Sequence, residues 1–310
     1  MVLPAVLPRV LMLVAAAACW GVGTVVSKQA LDDIAPLTLL PIQLLASTLF
    51  LLGMQQATRS RIVWSPQLRR LAALGLLNPG LAYALGLLGL VSITASLSVL
   101  LWTLEPVLIL LLSVLLLRER IPAAMTVAMA AAVGGVLLIV YQGGAAGDAT
   151  GALLTVTAVG ACALYTVAAR HLLLDDASVA VALVQQAAAL AFAVVLVLAV
   201  AALGGDVWPD DSLPASAWGA AVLSGVLYYG LAFWFYLSAL SRVPASVAGA
   251  FLPLIPVFGV AAGYLIGERL TERQWVGAAV VVAAVTVVAL LQHRTTNEST
   301  PSAAVTDRPG

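Results

Sequence analysis

Charge is what this chain has least of. Of its 310 residues 9% are charged and 63% are hydrophobic, where a soluble domain carries about a quarter charged. No compact core hides that much apolar surface from water, so a water-soluble fold is excluded. The 14 basic and 14 acidic side chains cancel, which removes the overall basic field that nucleic-acid binding draws on. Cysteine and histidine are equally sparse, two of each. Cys19 and Cys162 stand inside apolar runs without metal-ligand spacing and read as small buried hydrophobes. The chain has no HExxH, no phosphate-binding P-loop and no pair of intramembrane aspartates, which argues against an intramembrane protease or an ATP-driven pump. No metal or other cofactor is implied.

What the chain does have is long apolar runs. A bilayer core about 30 Å thick takes roughly 20 helical residues to cross. Ten stretches approach that length, near 10–30, 37–53, 71–90, 94–117, 122–141, 151–172, 178–203, 218–240, 245–266 and 274–291. Arg9 followed by LMLVAAAAC resembles a signal peptide. Ala16, however, stands three before Cys19 where a lipoprotein cleavage site wants a bulky aliphatic, and the segment is matched later in the chain. Beyond Leu291 the chain turns polar, and residues 293–310 read as a disordered cytoplasmic tail. Lys and Arg set the orientation. With the N-terminus in the cytoplasm, eleven arginines from Arg9 to Arg308 fall inside, and only Lys28, Arg269 and Arg273 fall outside. Both termini are therefore expected in the cytoplasm, in an inner or plasma membrane.

The chain also repeats itself. Gly80 to Val107 aligns without a gap on Gly230 to Val257 at a constant offset of 150. RERI (Arg118 to Ile121) answers to GERL (Gly267 to Leu270) at 149, and GTVVSK (Gly23 to Lys28) to YTVAAR (Tyr165 to Arg170) at 142. The same 142 carries Gln43 to Gln185. The expected fold is an all-α polytopic membrane protein of ten transmembrane helices, built as two five-helix repeats over 1–141 and 151–292. Because five is odd, the second repeat must enter from the opposite side, and such inverted repeats mark secondary transporters.

With these residues placed, the sequence resembles the drug/metabolite transporter superfamily, in its ten-helix EamA type. The carriers of the resemblance are Trp20-Gly21, the EPV at Glu105 to Val107 with RER after it, and the PV at Pro256-Val257 with GERLT (Gly267 to Thr271). It departs from the pattern at Arg118, where glycine usually stands, and at Cys162, where tryptophan often does. The resemblance implies export of a small organic solute, an amino acid or other metabolite, by alternating access.

Glu105 is the one charged residue near a span's middle, and an acid there is expensive enough to need a cavity or a partner. It is the candidate for binding a cationic group and for carrying protons as coupling ion. Trp102 and Ser98 precede it on the same helical face at one-turn spacing, and Trp102 offers a cation–π surface. Further pathway candidates are Trp20, Asn78, Tyr83, Tyr165, Gln185, Tyr228, Tyr229 and Trp234, each a polar or aromatic group within a span. Pro106, Pro253 and Pro256 cannot donate to the carbonyl four residues back, so they mark helix breaks or kinks. Gly259, Gly263 and Gly267 form GxxxGxxxG and read as close helix packing. Mid-span Lys and Arg, which a phosphorylated substrate would require, are absent. The expected substrate is neutral, zwitterionic or cationic. The competing readings are a membrane-embedded enzyme acting on lipid and, behind it, a channel.

Overall fold

Long apolar segments in lipid must satisfy every backbone polar group internally, which leaves the helix as the economical answer. The computed structural model describes residues 3–58, 62, 64–117, 123–140, 146–169, 172, 179–205, 207, 213–240, 251–252 and 254–298. Every element among them is helical. The order is α1 (Leu3–Ala30), α2 (Pro36–Thr58), α3 (Pro66–Leu74), a π segment (Leu76–Leu81) and α4 (Ala82–Leu90). Then come α5 (Ala95–Trp102), α6 (Glu105–Leu117), α7 (Ala123–Val140), α8 (Ala146–Ala169) and α9 (Val179–Ala202). The chain continues with α10 (Ala215–Ser224), a second π segment (Gly225–Leu231), α11 (Ala232–Leu240), α12 (Leu254–Leu265) and α13 (Glu272–Glu298).

Among the described residues six stretches are long and apolar enough to cross a bilayer: Pro8–Ala30, Pro36–Thr58, Pro66–Leu90, Ala149–Ala169, Val179–Ala202 and Ala215–Tyr236. Shorter apolar helices occupy Ala95–Ile109, Thr126–Gly135 and Leu254–Leu265. The protein is thus a polytopic α-helical membrane protein. Its outer faces present Leu49, Leu115, Val127, Leu153 and Val195, each more than half exposed. Such faces would be a liability in water, but against acyl chains they are the proper surface. The polar tail begins later than expected, since α13 runs on to Glu298. HRTTNE holds neither proline nor glycine, so nothing within it stops the helix.

Helix ends follow local chemistry. Ser65 caps α3 by accepting from the Leu68 N–H at 3.1 Å, and Thr94 caps α5 from the Leu97 N–H at 3.1 Å. Gly204 and Gly267 have φ of 83° and 97°, and each closes its helix with the paired bonds of a Schellman turn. At the second, Gly267 and Glu268 N–H donate to the Tyr264 and Gly263 carbonyls at 3.2 and 2.9 Å. Gly267 therefore serves as a helix stop rather than as the third step of a packing motif. Gly259 and Gly263 do pack closely: a β-carbon at Gly259 would lie 2.8 Å from Val99, and one at Gly263 would strike Ser96.

The two π segments lie in corresponding places and meet corresponding partners. A β-carbon at Gly75 would lie 2.6 Å from the Gln185 carbonyl oxygen, and one at Gly225 would lie 2.5 Å from that of Gln43. Five residues on, Gly80 faces the Phe192 ring at 3.1 Å and Gly230 faces the Phe50 ring at 2.8 Å. The stretch before α4 thus rests on α9, and the stretch before α11 rests on α2. These contacts pair residues at the offsets of 150 and 142 read from the sequence.

Candidate functional site

The chain breaks just ahead of the carboxyl group. Trp102 ends α5 and Glu105 opens α6. Between them the Thr103 and Leu104 N–H groups bond the Leu100 and Leu101 carbonyls at 3.2 and 3.1 Å, a tightened last turn. Pro106 follows as the second residue of α6, where a missing N–H leaves nothing unsatisfied. Glu105 therefore stands in a helix's first turn, where the dipole favours a negative charge. The start of α12 is built alike, with Leu254 and Ile255 N–H on the Phe251 and Leu252 carbonyls at 3.0 Å each and Pro256 third in the helix. Pro253 lies outside the described residues.

Glu105 keeps part of its surface accessible, and its carboxyl is the end of a short chain of hydrogen bonds. The Cys162 thiol of α8 donates to Glu105 Oε1 at 3.2 Å, and Asn78 Nδ2 donates to Cys162 Sγ at 3.2 Å. Thr166, one turn further along α8, donates to the Cys162 carbonyl at 3.1 Å. Asn78 sits in the first π segment with φ −142° and ψ 116°, an extended residue inside a helix. It is buried, and its Oδ1 has no partner among the described groups. Cys162 is thus more than the small hydrophobe expected of it: being a weak donor and a weak acceptor at once, it joins the amide to the acid.

Beside this chain lies a narrow cavity of about 30 Å³, room for roughly two waters. Its wall carries four aromatic rings, Tyr83, Trp102, Tyr228 and Tyr229, together with the hydroxyls of Ser27 and Ser98. Tyr83 is the hub, with ring centroids 5.7 Å from Trp102, 5.5 Å from Tyr228 and 4.9 Å from Tyr229, all edge to face. Gly86 makes the space, because a β-carbon there would already touch the Trp102 ring at 3.4 Å. No charged side chain of either sign lines this cavity among the described residues.

Of the residues expected from sequence, Trp102, Tyr83, Tyr228 and Tyr229 share the cavity wall, and Asn78 is tied to Glu105 through Cys162. Trp20 stands apart, packed edge to face on Phe233 and Tyr236 at 5.5 Å each. Tyr165 and Gln185 bond each other at 2.8 Å, and Gln185 also donates to the Leu71 carbonyl at 3.2 Å. Thr24, Ser27 and Cys162 went unnamed as site candidates. The signal for the first two was there, since hydroxyls four and one residues before Lys28 interrupt an apolar helix.

Apolar helices around a polar and aromatic cavity make this an integral membrane protein. The EamA-like transporter family matches residues 7–141 and again 149–290, and the chain belongs to that family. An uncharacterized transporter of Archaeoglobus fulgidus is 28% identical over 280 residues, covering 87% of this chain and 94% of that one. A solved crystal structure described only as that of a protein superposes with a TM-score of 0.62 at 19% identity. That likeness covers 93% of this chain and 98% of the other, and it extends to the fold alone.

Proposed function

We propose that the protein is a secondary carrier that exports a small neutral, zwitterionic or cationic organic solute, such as an amino acid, by alternating access. The observation that carries this reading is a carboxyl group, Glu105, beside an aromatic cavity whose wall holds no cation among the described residues. Aromatic faces attract ammonium groups and leave phosphate unmatched. A carboxyl in such a place can hold a proton and yield it when an amine arrives, so proton entry is coupled to solute exit. The two repeats, 1–141 and 151–292, are proposed to be inverted and to rock about the cavity, and the matched glycine contacts of the π segments support that. The cavity is too small for an organic solute, which fits a closed member of the cycle. The arginine bias supports cytoplasmic termini in an inner or plasma membrane.

The test is exchange in liposomes containing purified protein. A saturable flux of an amine-bearing solute that follows an imposed pH gradient is expected. Conversion of a lipid with no solute gradient would instead make the protein an enzyme, and tight transport of a sugar phosphate would refute the substrate class.

A further inference from the structure

We propose that Lys28 and Glu268 are positioning residues that together latch one end of the cavity shut by gripping the turn between α4 and α5. The inference rests on the carrier reading above, because only a carrier needs a cavity end that opens and closes.

The grip has two halves. Lys28 Nζ donates to the Leu90 and Val91 carbonyls at 2.8 Å each. These are the carbonyls of the last residue of α4 and of its C-cap, which no residue of that helix satisfies, and a cation is the favourable partner there. Across the turn, Glu268 Oε1 accepts from the Ala95 N–H at 2.7 Å, and Oε2 accepts from the Ser96 N–H at 2.9 Å and from the Ser96 hydroxyl. These are the first free N–H groups of α5, where a carboxylate belongs. A four-residue turn is thus held at both helix ends by opposite charges from two other elements, α1 and the link between α12 and α13. Asp32 and Glu268 are the carboxylates that act on the Lys28 ammonium.

Both gripped helices are walls of the cavity. Tyr83, Gly86 and Leu90 come from α4, and Ser98 and Trp102 from α5. Leu90 lines the cavity and is held by Lys28 through its carbonyl. Lys28 itself follows Thr24 and Ser27, the two wall residues of α1. The carboxylate is placed with care. Gly267 turns the chain through a left-handed φ of 97° at the end of α12, and a β-carbon at Gly263 would come within 2.5 Å of Glu268 Oε2. An acid that merely sought water would need neither glycine.

The bonds of this grip are polar and can be handed to water one at a time, whereas the apolar packing below them cannot. A cavity of about 30 Å³ admits a solute only after a wall moves. The turn at residues 91–94 joins two wall helices, α4 and α5, and is held by exchangeable bonds.

The experiment places a reporter at Thr24→Cys and applies a membrane-impermeant maleimide to right-side-out and inverted vesicles. Labelling is read by peptide mass, so that Cys19 and Cys162 are distinguished from the reporter. With Glu268→Gln or Lys28→Met, labelling from the Lys28 end should quicken by about tenfold or more, the order expected for lost charge-assisted bonds. Labelling from the other end should not. Ser96→Ala, which removes only one of the bonds to Glu268, should give a smaller rise in the same direction, and it decides the matter if the charge variants fail to accumulate. Unchanged rates in monodisperse variants would overturn the latch and leave Lys28 and Glu268 as simple helix caps. So would a rise that is equal from both sides. Fast labelling of the reporter in otherwise native protein from both sides at once would overturn the carrier reading, a result distinct from either.

Discussion

At Glu105 the first turn of a helix and the interior of a membrane coincide, and each decides part of what the carboxyl can do. The helix end favours its charge, and the membrane demands that the charge be answered or given up. Glu105→Gln keeps the shape and removes the titration. In liposomes, exchange driven by a pH gradient should disappear while the protein still inserts, and Glu105→Asp should retain part of the flux with an altered pH profile. Flux equal to that of the parent with the same pH dependence in Glu105→Gln would make the carboxyl structural. Cys162 extends the test. Cys162→Ser keeps a donor to Oε1 and should transport within about twofold of the parent, whereas Cys162→Ala should fall by roughly tenfold, the scale of one hydrogen bond to a charged group. Equal behaviour of the two variants would show that the thiol only fills space. The acid and its neighbour Trp102 were legible in the sequence because the signal is local, a charge in an apolar run. Cys162 was not, because its meaning comes from Asn78, 84 residues away, and a lone thiol in an apolar run carries no trace of that contact.

The π segments show what a helix gives up to approach another. At Gly75 and Gly225 the backbone of a neighbouring helix takes the place a β-carbon would occupy. Gly75→Ala and Gly225→Ala should each cost about 1–3 kcal/mol by overpacking, seen as a lower thermal midpoint in detergent. Gly160 and Gly219 have open space at the same position, so alanine there should leave the midpoint unchanged or raise it. A fall of equal size at all four sites would mean that the close approach is not what matters. Offsets of 150 and 142 made the correspondence of these elements readable in advance, and Pro106 marked the neighbourhood of the break between α5 and α6. The π turns themselves were not readable, although Pro79 does favour the extended backbone that Asn78 adopts just before it. The length of α13 was not readable from polarity. Polarity alone does not end structure, and a run without glycine or proline keeps its helix after it has left the apolar region.

For the molecule as a whole, alternating access is a statement about distances. Spin labels at Arg70 and Ser238, in α3 and α11, should report two populations whose proportions shift on adding an amine-bearing solute. One fixed distance under all conditions would point to a channel or scaffold. Sidedness is checked by thiol labelling at Arg61→Cys and Thr296→Cys, expected to react only from the cytoplasm, and at Asp210→Cys, expected only from outside. The crossed seating of the π segments reaches further, into how the protein is made. Gln43 waits on α2 for Gly225, a residue that the ribosome adds long after α2 has entered the bilayer, while Gly75 waits for Gln185. Until then Gly75 presents bare backbone to lipid, and the Gln43 amide has Ser27 of α1 but lacks Ser224. The N-terminal part therefore cannot complete its own interior, and newly inserted α2 and α3 must be sheltered until their partners follow. Cut within residues 142–145, the gene should yield two fragments that are degraded when expressed singly and stable when expressed together.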